Sequence, residues 1–188
     1  MSTSLLYHAF GIRGYRYVRT EYLEGEVVFT IEQSRHTLQC PVCGSRQVTA
    51  HGQVPRLFRG VPIGSKGTRV MLGIPRVECQ ACGVTRQAAV AFADPRKHYT
   101  HAFERYALEL SAHMTIQDVA QHLGVSWDTI KDIQKQDLQR HFSKPKLREL
   151  RQIAIDEIAV AKGHRYLTVV LDLVSGAVVF VGDGKGAD

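Results

Sequence analysis

Between Gln33 and Val77 the sequence has no aspartate or glutamate, although the same stretch carries Arg35, Arg46, Arg56, Arg59, Lys66, Arg69 and Arg76. A basic patch with nothing to neutralise it repels itself, so it points to an anionic partner; the competing reading is a solvated face kept soluble by its charge. No run of about 18 apolar residues occurs, which argues against a membrane-spanning helix. The segment Met1 to Phe10 lacks a basic stretch followed by an apolar one, so no secretory signal is expected and the cytoplasm is the default compartment. There is no low-complexity tract, and no internal repeat beyond two cysteine pairs. What is present is ordinary for a soluble globular chain: 188 residues, 44% hydrophobic and 22% charged, with room for one domain or two to three small modules. A net charge of +6 and a pI near 9.3 favour nucleic acid as the partner.

The residue pattern changes along the chain. Short apolar runs before residue 33, such as Glu26 to Ile31, alternate in part and suggest strands. Residues 33–92 are rich in Gly, Arg and Val, with Pro41, Pro55, Pro62 and Pro75, which suggests short strands and turns. From Asp94-Pro95 to about His141 the apolar spacing is helical, Ser143 to Arg151 forms a basic connector, and strand patterning resumes at Gln152. The expected fold class is α+β in several modules: a β-rich region with a zinc ribbon over 1–93, a helical unit over 94–142, a linker over 143–151 and a strand-rich unit over 152–188.

All four cysteines fall in two matched motifs, Cys40-Pro-Val-Cys43-Gly and Cys79-Gln-Ala-Cys82-Gly. Each Cys-x-x-Cys puts two thiolates on one tight turn, and zinc takes four such soft ligands in a tetrahedron. The glycine after each pair permits the positive φ that aims backbone N–H groups at sulfur. The 35 residues between the pairs make a long loop, but closure entropy grows by only about 0.6 kcal/mol per doubling of loop length. That insert is expected to form strands or a basic hairpin. Disulfides suit an oxidising compartment, and a redox dithiol needs one such pair in a βαβ setting, so a closed structural zinc site is the favoured reading.

A second signal runs from Thr115 to Ile133. Thr115 and Asp118 resemble a capping box; Val119, Ala120 and Leu123 make an apolar stripe; Gly124 suits a left-handed turn; Ser126 suits a helix cap; Ile130 and Ile133 would be buried. This is the pattern of a helix-turn-helix, in which a small residue on the first helix lets the second approach. A helix over roughly Thr100 to His113 would complete a three-helix unit. The second helix of such a motif presents its N-terminal residues to base edges in the major groove. Ser126, Trp127, Asp128, Thr129, Lys131, Asp132 and Lys135 are therefore candidate DNA contacts, with Arg56 and Arg59 added from the basic stretch. The acidic members would read cytosine or pair with neighbouring lysines. An ordinary helical hairpin is the bland alternative.

Residues 153 to 181 read as three strands joined by tight turns, an antiparallel meander with Asp156 inside the first strand. A carboxylate in that position is either hydrogen-bonded for structure or held by a metal. The cysteine pairs, the helix-turn-helix and the stretch Ile153-Ala-Ile-Asp-Glu-Ile-Ala-Val, continuing to Leu173, together resemble the ISL3 family of insertion-sequence transposases, over about Cys40 to Gly184. The resemblance implies an RNase H-like catalytic domain in which a DDE triad binds two divalent metals, with Asp156 matching the first aspartate. It implies double-stranded DNA, the terminal inverted repeats of a mobile element, as the partner, in a bacterial cytoplasm and at the nucleoid. The chain stops soon after the third strand, so the expectation is a truncated transposase that binds DNA without catalysis of its own. Mg2+ would belong only to a complete catalytic domain. A transposase subunit completed by a downstream product, a repressor acting as a homodimer or in mixed oligomers with intact transposase, and a zinc-ribbon protein-interaction module are the alternatives.

Overall fold

A computed structural model describes residues 5–142, 147–161 and 165–184. The first part of the expected linker, 143–146, and most of the expected turn, at 162–164, lie outside the described residues. The chain divides into two compact units, Met1–Ile133 and Gln134–Asp188.

The first unit opens with a short helix, α1 (Leu5–Phe10), and a hairpin of β1 (Tyr15–Leu23) and β2 (Glu26–Gln33). Two long strands follow, β3 (Val48–Ile63) and β4 (Lys66–Cys79), and then the short β5 (Thr85–Gln87). The sheet order is β1-β2-β4-β3, with β5 paired to β4 beyond the end of β2. The insert between the cysteine pairs makes a hairpin, one of the two forms expected of it, but with strands of 16 and 14 residues where the proline spacing suggested short ones. Its prolines are tolerated for positional reasons. Pro55 and Pro62 sit on β3, which is the sheet edge, and Pro75 falls between the partner of Leu72 on β2 and the partner of Arg76 on β5.

One face of this sheet is the core. Val27, Phe29 and Ile31 of β2 alternate inward beside Val70, Leu72 and Ile74 of β4, and Phe58 of β3 joins them. Leu6, Phe10 and Ile12 cover them from α1 and its exit, and Phe92 closes the cluster. Helix α1 buries one i,i+4 apolar pair, Leu6 and Phe10, too short a signal to stand out in the sequence.

Three helices complete the unit: α2 (His101–Ser111), α3 (Ile116–Leu123) and the start of α4 (Trp127–Phe142). Phe103, Ala107, Val119, Ala120, Leu123, Ile130 and Ile133 form their shared core, all nearly or wholly buried. Thr100, Thr115 and Ser126 accept hydrogen bonds from the N–H groups of Phe103, Asp118 and Thr129, capping the three helices. Gly124 ends α3 at φ 61°, a left-handed conformation that costs a side chain and costs glycine nothing.

In the second unit, β6 (Ile153–Ala161), β7 (Arg165–Asp172) and β8 (Val178–Asp183) form an antiparallel sheet in sequence order. This is the meander read from the sequence. Asp172 caps the β7–β8 turn, accepting from the Ser175 hydroxyl and the Val174 N–H, which hold its carboxyl below the usual range.

Candidate zinc ribbon and nucleic-acid interface

The long hairpin is what makes the two cysteine motifs meet. Cys40 and Cys43 immediately precede β3, Cys79 is the last residue of β4, and Val48 pairs with Cys79 across the hairpin. The 35-residue loop thus closes on itself as paired strands. Each motif folds the same way. The Gly44 N–H donates to the Cys40 carbonyl and the Gly83 N–H to the Cys79 carbonyl, both at 2.9 Å. Gly44 and Gly83 have φ of 73° and 70°.

The four sulfurs lie within 4.8 Å of one another. Cys43 and Cys79 Sγ are 3.5 Å apart, and Cys40 and Cys82 Sγ 3.7 Å. Those spacings are too long for disulfides, and a tetrahedron with Zn–S bonds of about 2.3 Å has edges of about 3.8 Å, so the quartet fits zinc. Backbone N–H groups of Cys82 and Ala81 pull the Cys79 thiol down to about 6. Cys82 accepts from the Val84 N–H, but the Cys79 and Cys43 sulfurs beside it outweigh that bond and push it up to about 12. Four thiolates this close need a cation among them; a divalent metal supplies it. Leu38, Val77 and Ala88 pack beneath the site, so the ligands sit on a small core of their own.

The helix-turn-helix presents the N-terminal part of α4. The Trp127 ring is 44% exposed, with Lys131 Nζ 4.8 Å above its centroid. Lys131 also pairs with Asp128 at 2.9 Å, and this bond and charge raise the lysine above its ordinary value. Ser126 and Thr129 hydroxyls bond each other at 2.9 Å in the helix cap. Asp132 and Lys135 are exposed one and two turns along. Of the candidate contacts, Asp132 and Lys135 stand with their charged groups exposed, while Asp128 and Lys131 occupy each other and Lys131 covers one face of the half-exposed Trp127 ring.

The two arginines proposed from the basic stretch are placed differently. Arg56 donates to the Lys97 carbonyl at 2.7 Å and stacks over the Phe58 ring. Arg59, whose side chain is 12% exposed, pairs with Glu26 and donates to the Leu123 carbonyl at 2.7 Å, at the end of α3. Arg69 meets the same Glu26 at 2.9 Å. Burial tends to raise the Glu26 carboxyl, but Arg69 and then Arg59 outweigh it and hold it below its ordinary value. Backbone bonds from Arg59 N to His98 and from Thr100 N to Arg59 add to the tie. Arg59 therefore joins the ribbon sheet to the helix-turn-helix turn. Sequence reading missed this role, because Glu26 lies outside the acid-free stretch and only the fold brings it there.

Asp156 sits in the middle of β6 opposite Val169, exposed, accepting from the Glu157 N–H at 2.8 Å. It is not a buried carboxylate in need of a partner.

The fold and site define a zinc-ribbon, helix-turn-helix protein. Residues 36–82 match the zinc-finger of transposases IS204/IS1001/IS1096/IS1165, and residues 88–137 match the helix-turn-helix domain of transposase family ISL3. The chain is 28% identical over 183 residues to the transposase for insertion sequence element IS1001 of Bordetella parapertussis, a match covering 95% of this chain and 45% of that protein. It is 29% identical over 150 residues to the transposase for IS1557 of Mycobacterium tuberculosis, covering 78% and 33%. The chain thus carries, in order, the zinc ribbon and the helix-turn-helix of ISL3-family transposases. It spans less than half the length of these curated relatives. No solved structure matches it. Among the described residues no helix is long and apolar enough to cross a membrane.

Proposed function

We propose that this chain is the DNA-recognition part of a transposase, binding double-stranded DNA at the terminal inverted repeats of an insertion sequence. The observation that carries the reading is the helix-turn-helix itself: Gly124, Ala120 and the caps set α4 against α3 and leave the Trp127–Lys135 face open. In that geometry the second helix enters the major groove. Trp127, Asp132 and Lys135 are assigned to base edges or phosphates, and Asp128 with Lys131 orients the Trp127 ring. Zinc, held by Cys40, Cys43, Cys79 and Cys82, is structural: it closes the β3–β4 hairpin that carries Arg59 to the turn.

The β6-β7-β8 meander supports the start of an RNase H-like domain, with Asp156 at the position of the first triad aspartate. Strand transfer uses several carboxylates to hold two divalent metals that activate the attacking oxygen and stabilise the leaving one. Asp156 would supply one of those carboxylates.

Selection of bound sequences from a random duplex library tests the reading, followed by gel shift of the winners at several salt concentrations. A recurrent sequence motif with a steep salt slope is expected. Recovery of no enriched sequence, with no shift at low salt, would reject DNA recognition in favour of a protein-interaction ribbon.

A further inference from the structure

The sheet face opposite the Phe29, Leu72 and Phe58 core carries an open cleft of about 950 Å³. Met71, Gly73 and Gln53 line it from the long hairpin, Arg16 and Arg19 from β1, and Arg35 from the turn after β2. We propose that this cleft is a second DNA contact surface, gripping the sugar-phosphate backbone of the duplex whose major groove receives α4. The proposal rests on the DNA-recognition reading above and adds a distinct set of residues to it.

The chemistry of the cleft suits a phosphodiester backbone. Gly73 has no side chain, and the Gln53 amide lies across it, 2.5 Å from where a Cβ would stand. That part of the cleft therefore offers an amide where a side chain at Gly73 would have stood. The arginines are open to solvent, with 69% of the Arg16 side chain and 60% of the Arg19 side chain exposed. Arg16 pairs with Glu32 at 2.6 Å and Arg19 with Glu21 at 2.9 Å. Exposed pairs of this kind contribute about 0–1 kcal/mol, so a phosphate can draw either guanidinium away cheaply. Arg35 makes no side-chain ion pair among the described residues. Glu32 is the one acidic residue in the lining.

Three of the seven basic residues in the acid-free stretch are already committed within the protein. Arg56, Arg59 and Arg69 are engaged inside the protein, so the acid-free stretch does not itself present them to an anion. The cleft is also placed for a shared duplex. Gly73 pairs with Pro55 and Arg69 with Arg59, four residues along β4, a span of about 13 Å at about 3.3 Å per residue. Arg59 is bonded to the Leu123 carbonyl at the helix-turn-helix turn, within the same compact unit. One helical turn of DNA is about 34 Å, longer than that span.

The test titrates the zinc-loaded full chain with a mixed-sequence duplex and with the library-selected duplex, across a range of KCl. The variant replaces all three exposed arginines: Arg16→Gln, Arg19→Gln and Arg35→Gln. Each lost backbone contact removes about 0.9 from the slope of log K against log salt, so the slope should fall by about 2 to 3. Affinity should drop on both duplexes alike, and the matching Arg→Lys triple should keep the parent slope. An unchanged slope in a Gln triple that still binds would overturn the cleft while leaving α4 recognition standing, as would loss of sequence discrimination alone. A parent chain that shifts neither duplex would remove the underlying reading as well.

Discussion

The two units contain the same kind of strand and bury it very differently. In Met1–Ile133, Phe58, Val70, Leu72, Phe103 and Ile130 are 0% exposed. In Gln134–Asp188, Ile155 is 65% exposed, Phe180 58% and Val181 53%, and among the described residues no buried core residue lies beyond Ile133. Alternating apolar residues make a strand in both units. A core forms only where a second layer covers the sheet, as α1 and the Phe92 segment do in the first unit. The second unit's sheet keeps apolar side chains open on both faces, Ile155 and Phe180 on one, Ile158 and Val181 on the other.

The contrast can be broken most sharply at the zinc ligands. Cys79→Ser should drop bound zinc from about one per chain to none and unfold the ribbon, because structural zinc supplies folding energy outright, about 10 kcal/mol or more in small fingers. Elemental analysis and thermal melting read both effects. Next in size, Phe58→Ala should cost about 3–5 kcal/mol, as a wholly buried aromatic does. Phe180→Ala should cost under about 1 kcal/mol in chemical denaturation, since most of its ring already meets water. Equal losses would mean that the second unit is covered in solution.

Arg59→Ala should cost about 3 kcal/mol, the toll for leaving a partly buried partner unpaired, and should weaken DNA binding at unchanged zinc content. Glu26 adds a pH signature. Its lowered carboxyl pKa contributes stability that is present above the unfolded value of about 4.3 and disappears as pH falls through the lower folded value. Glu26→Gln should remove that part of the acid loss, seen as a flatter melting temperature below about pH 5. Smallest of all, Asp156→Asn should change stability by less than about 0.5 kcal/mol, because its side chain is exposed.

Much of the site was legible because its rules are local. A Cys-x-x-Cys-Gly turn needs only its own residues, and both knuckles fold as such. The Thr115 and Ser126 caps, the left-handed Gly124 and the buried Ile130 and Ile133 follow from spacing within some twenty residues. What sequence reading placed differently is long-range. The basic stretch looked uniform along the chain, but the fold bonded Arg56 to the Lys97 carbonyl and Arg59 and Arg69 to Glu26, and gathered Arg16, Arg19 and Arg35 around one cleft. Prolines read as punctuation, until sheet order put Pro55 and Pro62 on an edge and Pro75 in a pairing gap.

By itself, the sequence determined the four ligands, the helix-turn-helix and the three-stranded meander, since turns, caps and periodicity act over a few residues. The tertiary structure alone decided which arginines are exposed to a partner and that Arg59 ties ribbon to helices. Those depend on Glu26 and Leu123, residues 33 and 64 positions away from Arg59, brought within hydrogen-bond reach by the long hairpin that the two cysteine pairs close.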